Sequence, residues 1–446
     1  MEKTPQPHSD SRVTGRVKII VGILLFLAAA EFTIRGPMRF VLAPTSWNDL
    51  SQNYTASRLW LKGQNPSDPR NFVALWKVEG RSRLALTDIR VHVAPPPGTL
   101  VLMAPIAVFP WSVAKFIWLA VLLAAFGLTL WTLALTGGFR DDPVRTLLFV
   151  AGGLALAPFH TGMANGNWTL LVVGACAVGI WAAHNRREVT AGLLFAVGCS
   201  LKPQIGALFV LYYLVRQRWR LFVTAVAGTI GLASIAVLRL EISGVSWMQD
   251  YIHNASGFFS SNHIDDFTSA NPIRFTLINL QVPFFSITGR SSWANLLAVS
   301  TGTVLMLCCF YWVMRNRLDG SELLPLGTIA VIGLMPVYHR FYDASLLVVP
   351  LCWCVAEGIE RSRRTVLFVL LLMTPFLIPG TVVLQELDMQ KRIPAAVTNS
   401  WWWNCIVMPH ETWVLLLLSL VLLGEMMRSS TRASQVPPVL VDESGR

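Results

Sequence analysis

Runs of apolar residues recur along the chain from residue 19 to residue 427, broken only by short polar links and three longer polar stretches. A membrane-crossing helix needs about 20 apolar residues, fewer when it is packed inside a bundle. Twelve such segments can be drawn: 18–34, 112–136, 145–161, 167–184, 189–201, 203–215, 219–238, 293–314, 322–337, 343–358, 364–383 and 411–427. A thirteenth apolar stretch, 98–110, follows Pro95-Pro96-Pro97 and ends at Pro110. It is too short to cross comfortably and is expected to dip into the membrane or lie on it, where protein or a wet cavity must cover its backbone.

The pattern predicts an all-α polytopic membrane protein of about twelve spans. A cytoplasmic tail (1–17) precedes one integral domain (18–427), and a disordered tail (428–446) follows it. The longer polar stretches are loops 35–97, 239–292 and 384–410. With the N-terminus inside, more than half of the 36 Lys and Arg residues fall on inner segments, far more than on the short outer ones. This bias places both termini in the cytoplasm and all three loops outside. Work is therefore expected on the outer face. No Gly-rich phosphate loop stands on the inner one.

Composition agrees. Hydrophobic residues make up 54% and charged residues 14%, against about 25% charged in soluble domains. The net charge of +11 comes without a basic cluster interleaved with aromatics. It points to an anionic lipid leaflet or a phosphate-bearing substrate rather than nucleic acid. Six of seven cysteines lie in apolar runs and only Cys405 in an outer loop, so neither a disulfide framework nor a C-x-x-C metal spacing follows.

The first outer loop carries Leu50, Tyr54, Ser57 and Leu61 on one helical stripe and Asp49, Asn53, Ala56 and Trp60 beside it. Gly63 closes the stripe and Asn65-Pro66 leads away, so a short amphipathic helix is expected at the membrane surface. Asp49, the first acid outside, can serve a cap begun at Ser46, or act as a general base toward an acceptor hydroxyl; the two are compatible. Residues 71–94 alternate in part and allow a small strand pair turning near Gly80, leading to His92, either structural or functional.

Other polar groups sit in places that ask for a reason. Lys202, in Leu201-Lys202-Pro203-Gln204, lies between two short spans; it can bind phosphate or reach the headgroups. The hairpin Pro336-Val337-Tyr338-His339-Arg340-Phe341-Tyr342-Asp343 crowds polar groups into a tight link. There His339 and Arg340 could hold a phosphate and Asp343 could orient His339, or the set could anchor the interface. The amides of Asn165 and Asn167 suit sugar hydroxyls or simple turn chemistry. Asp265-Asp266 reads as a solvated pair rather than a metal site, and Trp401-Trp402-Trp403 as an interfacial belt.

These pieces, in this order, resemble glycosyltransferase family 87, within the C-type superfamily of polytopic transferases that use polyprenyl-phosphate sugars. The resemblance rests on Asp49-Leu50, Tyr54-Thr55-Ala56, Leu61-Lys62-Gly63 with Pro66, Pro95-Pro96-Pro97 through Pro105, Asn165-Gly166-Asn167, Ala191-Gly192, Lys202-Pro203, Arg218-Trp219-Arg220, and Pro336, His339 and Tyr342. Leu50 stands where the family has an aromatic, His92 where a Tyr is usual, and the Gln of the Gly-Gln turn is missing.

The resemblance implies an inverting hexosyltransferase of the plasma (inner) membrane that moves a hexose, mannose first, from a polyprenyl-phosphate sugar to a hydroxyl of a glycolipid or glycan acceptor on the outer face. It implies Asp49 as catalytic base; Lys202, His339 and Arg340 at the donor phosphate; and Asn53, Tyr54, His92, Asn165, Asn167 and Tyr342 around the substrates. No cofactor and no metal are implied beyond the lipid-linked donor. The rival readings are a lipid or polysaccharide transporter or flippase without transferase chemistry, and a structural partner in envelope synthesis.

Overall fold

A computed structural model describes residues 10–42, 49–78, 94–257, 265–315, 322–358 and 362–435. Among them the architecture is all-helical, with no strand. The helices, in order, are α1 (Asp10–Thr33), α2 (Arg39–Leu42), α3 (Asp49–Leu61), α4 (Pro69–Val78), α5 (Pro97–Ala107), α6 (Trp111–Thr136), α7 (Pro143–Ala155), α8 (Ala157–Ala164), α9 (Thr169–His184), α10 (Glu188–Leu201) and α11 (Pro203–Val215). There follow α12 (Trp219–Ile242), α13 (Met248–Gly257), α14 (Gln281–Thr288), α15 (Ser291–Arg315), α16 (Leu323–Gly333), α17 (Val348–Trp353), α18 (Arg363–Met373), α19 (Gly380–Met389), α20 (Ala395–Thr398) and α21 (His410–Gln435).

Among the described residues six helices are long and apolar enough to cross a membrane: Ile19–Leu42, Trp111–Thr136, Trp219–Ile242, Ser291–Arg315, Arg363–Met389 and His410–Ser429. The bent pair α7–α8 makes a seventh if counted as one span. Their outward residues are those expected against lipid chains, among them Phe26 on α1, Ile230 on α12 and Leu307 on α15, all largely exposed. Each remaining predicted span coincides with a shorter or broken helix: α9, α10, α11, α16, and α17 with its π-helical extension Cys354–Gly358.

The short helices explain where the site lies. At one end of the bundle Arg218 pairs with Glu188 at 2.5 Å and bonds the Ala183 carbonyl, and Tyr213 donates to Glu322 at 3.3 Å. The end of α9, the start of α10, the end of α11 and the start of α16 therefore share one level. From there α10, α11 and α16, with 14, 13 and 11 residues, rise roughly 16–21 Å at 1.5 Å per residue. None alone spans a hydrocarbon core of about 30 Å. They stop short, and their polar tips converge inside the bundle.

Several expected boundaries move. The first span runs on to Leu42 through a π-turn, Ile34–Met38, which accommodates Pro37, while Arg35 is paired with Glu31 at 2.7 Å. Pairing lets two charges stay on an otherwise apolar helix. The helix from Arg363 continues to Met389, inside the expected third loop, and α21 continues to Gln435, inside the expected disordered tail. Helix α1 begins at Asp10, inside the expected first tail. Residues 71–78 are helical, not part of a strand pair; 79–93, with Gly80 and His92, lie outside the described residues.

Helix α3 forms where its stripe predicts, but it is not laid open on a surface: nine of its 13 residues are buried. Its Trp60 and Leu59 pack with Phe72 and Trp76 of α4, Leu100 of α5 and Leu240 of α12 in a second core beside the main one. The Trp60 indole donates to the Ala236 carbonyl at 2.9 Å. Gly63 takes the left-handed conformation at φ +68°, closing the helix through the Gly63 amide to the Trp60 carbonyl and Gln64 to Leu59. Trp401 and Trp402 are exposed as the belt reading expects, whereas Trp403 and Cys405 are buried.

Candidate active site

Three breaks in the helical bundle meet at one place. The first is the α8–α9 turn, Asn165-Gly166-Asn167-Trp168. The second is the Lys202-Pro203 break between α10 and α11, and the third is the hairpin after α16. Proline at 203 cannot donate a helical bond, so the chain reverses at Lys202, whose backbone is extended (φ −148°, ψ 84°). Below the tip the two helices touch backbone to backbone. A Cβ added at Gly206 would lie 2.4 Å from the Cys199 nitrogen and 2.6 Å from the Gly198 carbonyl carbon. Only glycine fits there.

Asp343 joins the three. One of its carboxylate oxygens accepts from the Lys202 ammonium and from the Thr169 hydroxyl at 2.7 Å. Its other oxygen faces His339 Nδ1 at 3.0 Å and accepts from the Arg340 amide at 3.1 Å. His339 and Asp343 are fully buried and Lys202 nearly so. A buried carboxylate is tolerated when every lone pair is matched, as here. Lys202 also bonds the Thr169 hydroxyl at 3.0 Å and lies over the Tyr342 ring at 4.9 Å. His339 Nε2 is buried and has no hydrogen-bond partner among the described residues.

Asp49 hangs beside this unit. It opens α3; its amide donates to the Asn165 carbonyl at 3.0 Å, and its carboxylate accepts from the Asn167 side-chain amide at 2.5 Å. The Asn167 carbonyl oxygen in turn accepts from the Thr169 amide at 2.7 Å, so Asn167 links Asp49 to the Asp343 cluster. Burial pushes the Asp49 carboxyl above its usual range; the Asn167 hydrogen bond and the nearby Arg340 and Lys202 charges pull the other way. Such a carboxylate is a stronger base than a solvated one.

Arg340 is engaged from the second outer loop. Its guanidinium pairs with Asp265 at 3.0 Å and bonds the Tyr338 hydroxyl at 2.8 Å. Asp265 is thus paired with a cation rather than left to solvent, and Asp266 accepts from the Thr268 amide and hydroxyl at 2.8 and 2.9 Å. The loop is stitched to the hairpin by Ile278 to the His339 carbonyl at 2.9 Å and Leu280 to the Met335 carbonyl at 2.9 Å. Helix α5 borders the same tip: Thr99 donates to the Ser200 carbonyl at 2.8 Å.

Of the residues singled out from sequence, the fold gathers Asp49, Asn165, Asn167, Lys202, His339, Arg340 and Tyr342. Asn53 and Tyr54 take other partners. The Asn53 amide bonds the Asp49 carbonyl one turn back, and Tyr54 donates to the Phe109 carbonyl just past the end of α5. His92 lies outside the described residues. Thr169 escapes a reading of the sequence because nothing local marks it, and the Asp265-Asp266 pair is visible there but not its role, since its partner Arg340 lies 75 positions on. No group of three or more His, Cys, Asp or Glu side chains among the described residues is placed to hold a metal ion.

The glycosyltransferase family 87 model matches residues 95–317, half of the chain. The chain belongs to glycosyltransferase family 87. The matched segment carries Asn165, Asn167, Thr169, Lys202 and Asp265; Asp49 and the 336–343 hairpin lie outside it and join the family segment through the contacts above. Two curated relatives, both alpha-(1->3)-arabinofuranosyltransferases of Mycobacterium tuberculosis (strains CDC 1551 and H37Rv), are 26% identical over 248 residues. The match takes in 51% of this chain and 56% of each relative, so the chain spans about half the length of the curated relatives it matches.

Proposed function

We propose that the protein is a membrane glycosyltransferase that moves a sugar from a polyprenyl-phosphate donor to an acceptor hydroxyl, with inversion. The observation that carries this reading is the Asp49 carboxylate, raised in basicity by burial and hung from Asn167 beside the Lys202–Asp343–His339 unit. Asp49 takes the proton of the acceptor hydroxyl as its oxygen attacks the anomeric carbon. The bond from that carbon to the phosphate oxygen breaks, and its electron pair leaves with the lipid phosphate. Lys202, the His339 Nε2 left unpartnered among the described residues, and Arg340 stabilise the charge that develops there. Asn165, Asn167 and Tyr342 line the place where sugar hydroxyls would sit. The donor arrives activated, so the reaction needs no further cofactor.

The convergence of short helices at a polar point inside the bundle suits a substrate whose sugar must be wet while its tail stays in lipid. In this reading the segments of the sequence pattern cross about twelve times, both termini face the cytoplasm, α3 lies at the outer side and the membrane is the plasma membrane. Paired broken helices also occur in transporters. Family membership and a carboxylate poised outside the crossing helices favour transfer over transport.

For the transferred group, the family resemblance supports a hexose, mannose first. The names of the curated relatives support a second reading, an arabinofuranosyl group. Purified protein incubated with polyprenyl-phosphate mannose, glucose and arabinofuranose, with products weighed by mass spectrometry, separates them. Transfer from the hexosyl donors supports the first reading, transfer from arabinofuranosyl donor alone the second, and turnover of none removes the proposal.

A further inference from the structure

The α7–α8 bend is 52° and follows from Pro158. In an unbroken helix the amide of residue 158 would donate to the Leu154 carbonyl four positions back; proline has no N–H and its ring pushes that carbonyl away. The next donor does not replace it, since the Phe159 amide bonds Leu156 at 3.1 Å. A carbonyl left open inside an apolar bundle is costly. His160 supplies what is missing: its Nε2 lies 2.5 Å from the Leu154 oxygen. A carbonyl only accepts, so the ring must carry its proton on Nε2, and Nδ1 is left buried without a partner among the described residues. The ring is held edge-on to Phe32 of α1, with centroids 5.6 Å apart.

The bend aims α8 at the active site. Helix α8 lies against the π-turn of the first span, where a Cβ on Gly36 would stand 3.3 Å from the Met163 side chain and 3.7 Å from the His160 backbone. Its end delivers the Asn165 carbonyl that takes the Asp49 amide, the Gly166 carbonyl that takes the Trp118 indole at 2.8 Å, and the Asn167 amide on the Asp49 carboxylate. We infer that His160 is a positioning residue for Asp49: by satisfying the Leu154 carbonyl that Pro158 abandons, it fixes the angle of α8 and, through the Asn165–Asn167 turn, the place of the catalytic carboxylate. The catalytic part rests on the function proposed above; the mechanical part does not.

The test uses full-length protein in detergent with three variants: His160→Ala, His160→Phe, which keeps an aromatic ring but has no donor, and His160→Gln, whose amide can donate to Leu154. Hydrogen–deuterium exchange is followed on peptides covering 49–53 and 165–169, with 175–183 of α9 as an internal reference. Loss of the donor should speed exchange in the first two peptides in the Phe and Ala variants, leave the reference unchanged, and be reversed in the Gln variant. Transfer should fall roughly 10- to 100-fold in kcat in the Phe variant, as for a small misplacement of a catalytic group. Its donor KM should hold while the acid limb of the pH profile moves upward as Asn167 loosens from Asp49. A Phe variant with wild-type exchange at 49–53 and 165–169 overturns the inference, because the ring then only fills space. If the Ala variant does not fold, the Phe and Gln pair still decides. If wild-type protein transfers no sugar, the proposed function fails while the exchange arm stands.

Discussion

At the scale of single residues, the site is an exchange of hydrogen bonds around two carboxylates with different tasks. Asp343 is saturated by Lys202, Thr169, His339 and the Arg340 amide, which makes it a structural hub. Asp49 is held by one amide side chain and is free to take a proton. Asp49→Asn should abolish transfer with insertion and melting unchanged, as a steady-state assay beside a thermal melt would show. Because burial raises the Asp49 carboxyl above its ordinary 3.8, activity should fall on acidification through a pKa above that value. Asn167→Ala removes one of the influences that lower it, so the acid limb of kcat/KM should shift to higher pH. Removing Lys202 alone strands Asp343: Lys202→Ala should destabilise by about 3–5 kcal/mol. The double variant Lys202→Met, Asp343→Asn should recover the melting temperature without recovering transfer.

At the scale of elements, short helices do what long ones cannot. Helix α10 ends and α11 begins at Lys202 because Pro203 breaks the ladder, and the two lie close because Gly198 and Gly206 leave no side chains between them. Gly206→Val should cost about 1–3 kcal/mol by overpacking, read as a lower melting temperature. Gly231→Val on α12, where an added Cβ meets nothing within 4 Å, is the silent control. Helix α3 teaches a related point. Its stripe, its Gly63 cap and its Asn65-Pro66 exit were all legible, because each is local chemistry. That its polar side would be buried as well was not, since Ser51 and Thr55 are covered only once the neighbouring elements are in place.

For the whole molecule, the orientation predicted from charge has a direct check. In a background freed of native cysteines, Lys62→Cys, exposed beyond α3, should react with an impermeant thiol reagent from outside intact cells. Arg187→Cys, exposed between α9 and α10, should react only after lysis; the reverse pattern would put Asp49 on the wrong side for a lipid-borne sugar. The sequence by itself determined a helical membrane chain and where most of its helices lie, and polar groups set among apolar runs marked most of the residues that meet at the site, because apolar run length and proline or glycine breaks act within a few positions. Only the tertiary structure decided that Asp265 would hold Arg340, that Thr169 would share Lys202 with Asp343, and that Tyr54 would turn away to Phe109. These pairings join segments far apart in the chain. They exist because polar groups brought together in a low-dielectric interior must satisfy one another, and no local pattern records which distant partner will be there.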